Sequence, residues 1–227
     1  MIRPNKGGPL TWALDRYVSF KVRRAFRGLW IRGELPADAG SLLLYANHPG
    51  FWDGFVANQL SQSAGWDGYC LMDERALSRY RFLSRLGAFS VRPGEPASAL
   101  ESLKVARELL RRPRATVAVF PEGVLRPGPG LGTLERGIEV MARAAKARCL
   151  PVALRYAVFE HELPDILVEV GEPHGPEPLA GFERRLTALV ERVDQARSPD
   201  GYRLLVRGRR SVAERWDSAR GIAPGEV

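Results

Sequence analysis

The stretch Ser41-Leu42-Leu43-Leu44-Tyr45-Ala46-Asn47-His48-Pro49-Gly50-Phe51-Trp52-Asp53 runs from an unbroken apolar segment straight into a polar turn. Ser41 to Ala46 is strand-sized, and its lack of polar alternation predicts a strand covered on both faces, as inside a parallel sheet. Runs of the same kind occur at Gly68 to Met72, Ala115 to Phe120, Cys149 to Leu154 and Ile166 to Val170, and Gly87 to Arg92 can serve as another. Helical patterns fill the gaps. The best are Ala97 to Arg112, with a stripe of Leu100, Leu103, Val105, Ala106, Leu109 and Leu110, and Thr133 to Ala147. Trp52 to Leu60, Arg75 to Leu86, Glu177 to Gln195 and Tyr202 to Trp216 complete the set. This alternation predicts an α/β fold with a mainly parallel central sheet covered by helices.

The chain has 227 residues, 45% of them hydrophobic, which suits one domain over 1–227 with a substantial core. Residues 1–33 read as a basic amphipathic N-terminal helical segment and 41–154 as the motif-bearing core. Arg126 to Gly132 is too rich in Gly and Pro for an element interior, and the tail after Arg220 reads as irregular. Two distant cysteines, Cys70 and Cys149, and no leader-like segment at Met1 to Asp15 point to the cytoplasm. The cysteines form no C-x-x-C pair, and His48, His161 and His174 lack the spacing of a helical metal site, so no protein-bound metal is expected.

A net charge of +8 favours anionic partners, membrane or nucleic acid. The arginines are spread through helices without interleaved aromatics, and no helix-turn-helix, zinc-finger or RNP-like motif appears, which argues against nucleic acid. No apolar run reaches the roughly 18 to 20 residues that span a bilayer. Arg16 to Arg32 holds six basic and no acidic residues. As a helix it would put Leu14, Val18, Val22, Phe26 and Leu29 on one face and Arg16, Arg23 and Arg27 on the other, with Phe20 among the basic positions. That layout suits an interfacial helix on an anionic membrane, and equally a helix packed on its own core with a solvated basic face.

His48 follows one buried strand and Pro121-Glu122-Gly123 another. If those strands are parallel, both turns open on the carboxyl edge of the sheet, where ligands bind in open α/β folds; Arg92 can reach the same edge. Asp53, at the start of a helix and returned by the Pro49-Gly50 turn, can hold one imidazole nitrogen so that the other accepts a proton. No serine or cysteine stands beside the pair, which leaves a substrate hydroxyl as the attacking group. By spacing alone, Asp53 also reads as a helix N-cap and His48 as a hydrogen-bonded loop residue.

Four blocks in order resemble the glycerolipid, or lysophospholipid, acyltransferase family that includes the 1-acyl-glycerol-3-phosphate acyltransferases. Asn47-His48 through Asp53 resembles N-H-x-x-x-x-D. Gly87 to Arg92 resembles a G-x-x-F/x-x-R block, with Phe89 one place early. Phe120-Pro121-Glu122-Gly123 matches F-P-E-G, and Leu150-Pro151-Val152-Ala153-Leu154 resembles V-P-V-x-I. The resemblance implies His48 as general base, Asp53 as its orienting partner, and an acceptor site lined by Arg92, Phe120, Pro121, Glu122, Gly123 and Arg126. It implies no bound cofactor. The acyl thioester co-substrate would be acyl-CoA or an acyl carrier protein conjugate, the acceptor a lipid, and the location peripheral on the inner face of the cell membrane. Where relatives often continue with Thr-Arg-Ser this chain has Val124-Leu125-Arg126, and in place of Phe-Lys-x-Gly it has Leu134-Glu135-Arg136-Gly137. Both changes thin out the phosphate cradle. Lysophosphatidate leads as acceptor; a non-phosphorylated or glycosylated lipid alcohol is the rival, and non-catalytic binding of anionic lipid is a third reading.

Overall fold

The computed structural model describes residues 1–36 and 40–220; the tail beyond Arg220 lies outside them. The elements run α1 (Gly8–Ala25), β1 (Gly28–Arg32), β2 (Leu42–Ala46), α2 (Asp53–Ala64), β3 (Asp67–Asp73), α3 (Glu74–Arg79), a 3-10 helix (Arg81–Leu86), β4 (Ala88–Val91), α4 (Pro96–Leu109), β5 (Ala115–Val119), α5 (Gly137–Ala145), β6 (Arg148–Ala157), β7 (Asp165–Val170), α6 (Leu179–Gln195), β8 (Arg203–Arg207) and α7 (Val212–Arg220). One eight-stranded sheet has the order β4-β3-β5-β2-β6-β7-β1-β8. β4, β3, β5, β2 and β6 are mutually parallel; β7 is antiparallel to β6, β1 parallel to β7, and β8 antiparallel to β1. The expected α/β fold with a mainly parallel, helix-covered sheet is what forms.

The unbroken apolar character of β2 follows from its central place. Leu43 and Tyr45 point into the core layer under α4, α5 and α6, with Val105, Met141 and Phe182. Leu42, Leu44 and Ala46 point into the opposite layer, against Val18 and Val22 of α1 and Val56 and Leu60 of α2. Period-two alternation thus divides one apolar run between two cores, and both faces are sealed from water.

Four expectations are corrected. The N-terminal helix ends at Ala25, and Leu29 belongs to β1, because Gly28 to Arg32 pairs with β7 and β8 instead of extending the helix. Tyr202 to Trp216 is not one helix: Arg203–Arg207 forms the edge strand β8 and only Val212–Arg220 winds up as α7. Arg75 to Leu86 splits into α3 and a 3-10 helix that ends on Gly87, whose φ of 99° is left-handed. On α4, Leu100 is 55% exposed while Ser98 and Ser102 take buried positions. There Ser98 Oγ accepts from the Arg92 N–H at 2.8 Å and Ser102 Oγ donates to the Ser90 carbonyl at 2.9 Å, so two hydroxyls tie the helix to β4 and the turn after it.

Candidate active site

β2 and β5 are adjacent and parallel, with Leu43 beside Val117 and Tyr45 beside Val119, so the turns after them open side by side. Asn47, the first residue past β2, is buried; its side chain donates to the Leu154 carbonyl at 2.9 Å and accepts from the Leu154 N–H at 2.7 Å. The amide thus stands in for a backbone unit and carries the β2–β6 pairing one residue further. That fixes where the chain leaves the sheet and presents His48.

His48 Nδ1 lies 2.6 Å from Asp53 Oδ2. The Gly50 N–H donates to the same oxygen at 2.9 Å, and Tyr156 Oη donates to Oδ1. Asp53 is fully buried at the first turn of α2, where the helix dipole also favours a carboxylate. A carboxylate with only acceptor capacity requires the proton on Nδ1, which leaves the Nε2 lone pair free. The ring lies against Phe120, with centroids 4.4 Å apart and planes 14° from parallel. The turn is close-packed: a Cβ on Gly50 would sit 2.9 Å from the Tyr156 ring.

Glu122 is buried, and both its oxygens are used. Oε1 accepts from the His48 N–H at 2.8 Å and Oε2 from the Gly132 N–H at 2.8 Å. It therefore ties the His48 turn to the Gly/Pro-rich loop. Pro121 is buried, and its carbonyl accepts from Glu135 N–H at 2.7 Å. Gly123 closes the turn with φ 68°, its N–H reaching the Phe120 carbonyl at 3.0 Å. The Arg126 N–H donates to the His48 carbonyl at 2.8 Å while its side chain is exposed. His48, Asp53, Phe120, Pro121, Glu122, Gly123 and Arg126 are thus brought together.

Arg92 sits apart. It lies on the same edge of the sheet but after β4, three strand spacings or about 14 Å from β2. Its guanidinium pairs with Glu74 at 3.1 Å and Glu95 at 2.8 Å. Sequence reasoning missed Tyr156 and the double role of Asn47. The signal for Tyr156 was its parity: Val152, Leu154 and Tyr156 share one face of β6, and only the last has a polar tip to offer at the carboxyl end.

The model of the Acyltransferase family matches residues 30–155. No curated protein matches the sequence significantly. Among solved structures the chain is similar to the crystal structure of the 1-acyl-sn-glycerophosphate (LPA) acyltransferase PlsC from Thermotoga maritima, with a TM-score of 0.60 and 16% identity over 83% of each chain. At that identity the likeness speaks for the fold. The family match runs from within β1 to within β6 and includes the His48 and Glu122 turns, more than half of the chain, and this protein belongs to the Acyltransferase family.

Proposed function

We propose that this acyltransferase moves a fatty acyl group from an acyl thioester, on coenzyme A or an acyl carrier protein, to a hydroxyl of a lysophospholipid such as 1-acyl-glycerol-3-phosphate at a membrane surface. The observation that carries the reading is the His48–Asp53 hydrogen bond of 2.6 Å, which leaves Nε2 as a base at the carboxyl edge of the sheet. Nε2 takes the proton of the acceptor hydroxyl as its oxygen attacks the thioester carbonyl. The tetrahedral intermediate then collapses with loss of the thiolate, which recovers the proton from Nε2. Direct attack fits the thiols: burial pushes both Cys70 and Cys149 up to about 12, so neither supplies a thiolate nucleophile.

Membrane contact is supported by α1, though not by the face expected from the sequence. Val18 and Val22 pack on the core. The opposite half of the helix exposes Leu10, Trp12, Tyr17 and Phe20 among Arg16, Lys21, Arg23 and Arg24. Contrary to the sequence expectation of arginines without interleaved aromatics, exposed aromatics alternate with cations here, a layout that suits an anionic lipid interface. Among the described residues no helix is long and apolar enough to cross a membrane.

One observation favours the second acceptor reading. Val124 is 65% and Leu125 52% exposed directly after the Glu122 turn, and Arg92 is already paired with two carboxylates. An acceptor with a neutral or glycosylated head would meet this rim without needing a cation cluster. Comparing kcat/KM for lysophosphatidate, other lysolipids and neutral or glycosylated lipid alcohols decides between them. Preference for lysophosphatidate supports the first reading; a neutral acceptor favoured tenfold or more, on the order of 1.4 kcal/mol in the transition state, replaces it with the second.

A further inference from the structure

The geometry points to Tyr156 as a positioning residue for the reaction: its hydroxyl, donated to Asp53 Oδ1, holds the carboxylate that holds His48. The assignment rests on His48 being the base. It goes beyond that reading because Tyr156 lies 103 residues from Asp53, on β6, outside every motif around the site.

Asp53 Oδ2 is occupied by the Gly50 N–H and by His48 Nδ1, and Tyr156 Oη fills Oδ1. With one oxygen anchored to β6 and the other to the turn, the carboxylate cannot rotate about its Cβ–Cγ bond without breaking a hydrogen bond to a charged acceptor, which is stronger than one between neutral groups. The imidazole is thereby fixed in both tautomer and direction. The ring of Tyr156 is itself wedged between Gly50, where a Cβ would come within 2.9 Å, and Phe26 at 5.6 Å between centroids; Phe26 in turn meets Trp52 at 5.3 Å. The hydroxyl therefore has a defined place from which to donate.

Protonation is consistent with donation. Burial first, and the neighbouring Asp53 charge second, push the Tyr156 phenol well above its ordinary range, so it keeps its proton throughout the working pH range. Cys70 on β3 also lies near Asp53; its thiol is pushed up to about 12 by burial and then by Asp53, and so stays neutral. Glu122, in the turn after β5, spends its oxygens on the His48 and Gly132 backbone amides. Phe26, just past the end of α1, and Trp52 bring no charge. Removing the phenol proton donor thus strengthens the negative charge that Asp53 presents to the imidazole and leaves the Gly50 N–H as the remaining backbone donor to the carboxylate.

The test is Tyr156→Phe, which keeps the ring, alone and combined with Asp53→Asn, read by two methods. In histidine-ring NMR without substrate, with His48 assigned by its absence in His48→Ala and only three histidines in the chain, His48 is expected to titrate at higher pH in the variant than in the wild type. His161 and His174 should not move. In turnover, kcat should fall about tenfold with KM unchanged, and the same substitution should cost nothing further in the Asp53→Asn background. An unmoved His48 titration, or an equal loss of kcat in both backgrounds, overturns the assignment and makes Tyr156 a packing residue. Should Tyr156→Phe not fold, 3-fluorotyrosine at position 156, a stronger donor in the same ring, must shift His48 to lower pH; no shift overturns it equally. Acceptor-dependent turnover retained by His48→Ala would instead overturn the base assignment, while the NMR result still answers for Tyr156.

Discussion

Glu122 spends both carboxylate oxygens on the backbone that frames the site. Its two oxygens accept the His48 and Gly132 backbone amides, so Glu122→Gln turns an NH2 group toward one of two N–H donors. The expected outcome is a loss of about 1–3 kcal/mol in thermal or denaturant unfolding, with kcat falling more than acceptor KM rises. A selective rise in KM at unchanged stability would instead place Glu122 on the acceptor. Gly50→Ala should be equally damaging, since its methyl group would meet the Tyr156 ring at 2.9 Å; normal activity in that variant would contradict the packing described. At this scale the sequence reveals those residues whose partners are near in the chain. His48 and Asp53 are five apart and lie on one turn. The contacts of Asn47 with Leu154 and of Asp53 with Tyr156 depend on β6 lying beside β2, a register that no local spacing encodes.

Among the elements, α1 separates a structural cation from surface ones. Arg27, just past the helix, is a half-buried clamp: Nη2 and Nε reach Asp165 Oδ2 at 2.8 and 3.0 Å, and Trp30 Nε1 donates to Oδ1 at 2.7 Å. Asp165 is 1% exposed, so Arg27→Ala strands a buried carboxylate and should cost about 3–5 kcal/mol of stability. Arg23 and Arg24 are exposed. Trp12→Ala with Phe20→Ala, or charge reversal at Arg23 and Arg24, should weaken sedimentation with anionic vesicles and leave the melting temperature within a degree or two. Unchanged vesicle binding in both sets would remove α1 from the membrane account. The central strands β2, β5 and β6 are legible because burial on two faces leaves an unmixed apolar run. β1 and β8 are not, since Leu29 continues the helical spacing of Val18, Val22 and Phe26, and the short edge strand β8 is flanked by arginines that mimic a helical surface.

Across the whole molecule, the sheet order brings the His48 and Glu122 turns onto neighbouring parallel strands while leaving Arg92 at the far side of the same edge. The net charge of +8 predicts that vesicle binding falls steeply as salt rises from 0.05 to about 0.5 M, over which the screening length shortens from roughly 14 to 4 Å. Salt-independent binding would mean that apolar contact alone carries it. The proposed reaction turns on His48 Nε2 deprotonating the acceptor hydroxyl for direct attack on the thioester. Its most direct test is acceptor-dependent thiol release by the wild-type protein and His48→Ala, with long-chain acyl-CoA and acyl carrier protein donors. Release by the wild type and a loss of about 10² to 10⁴ in the variant is expected, at unchanged folding; equal release by both would rule out His48 as the base.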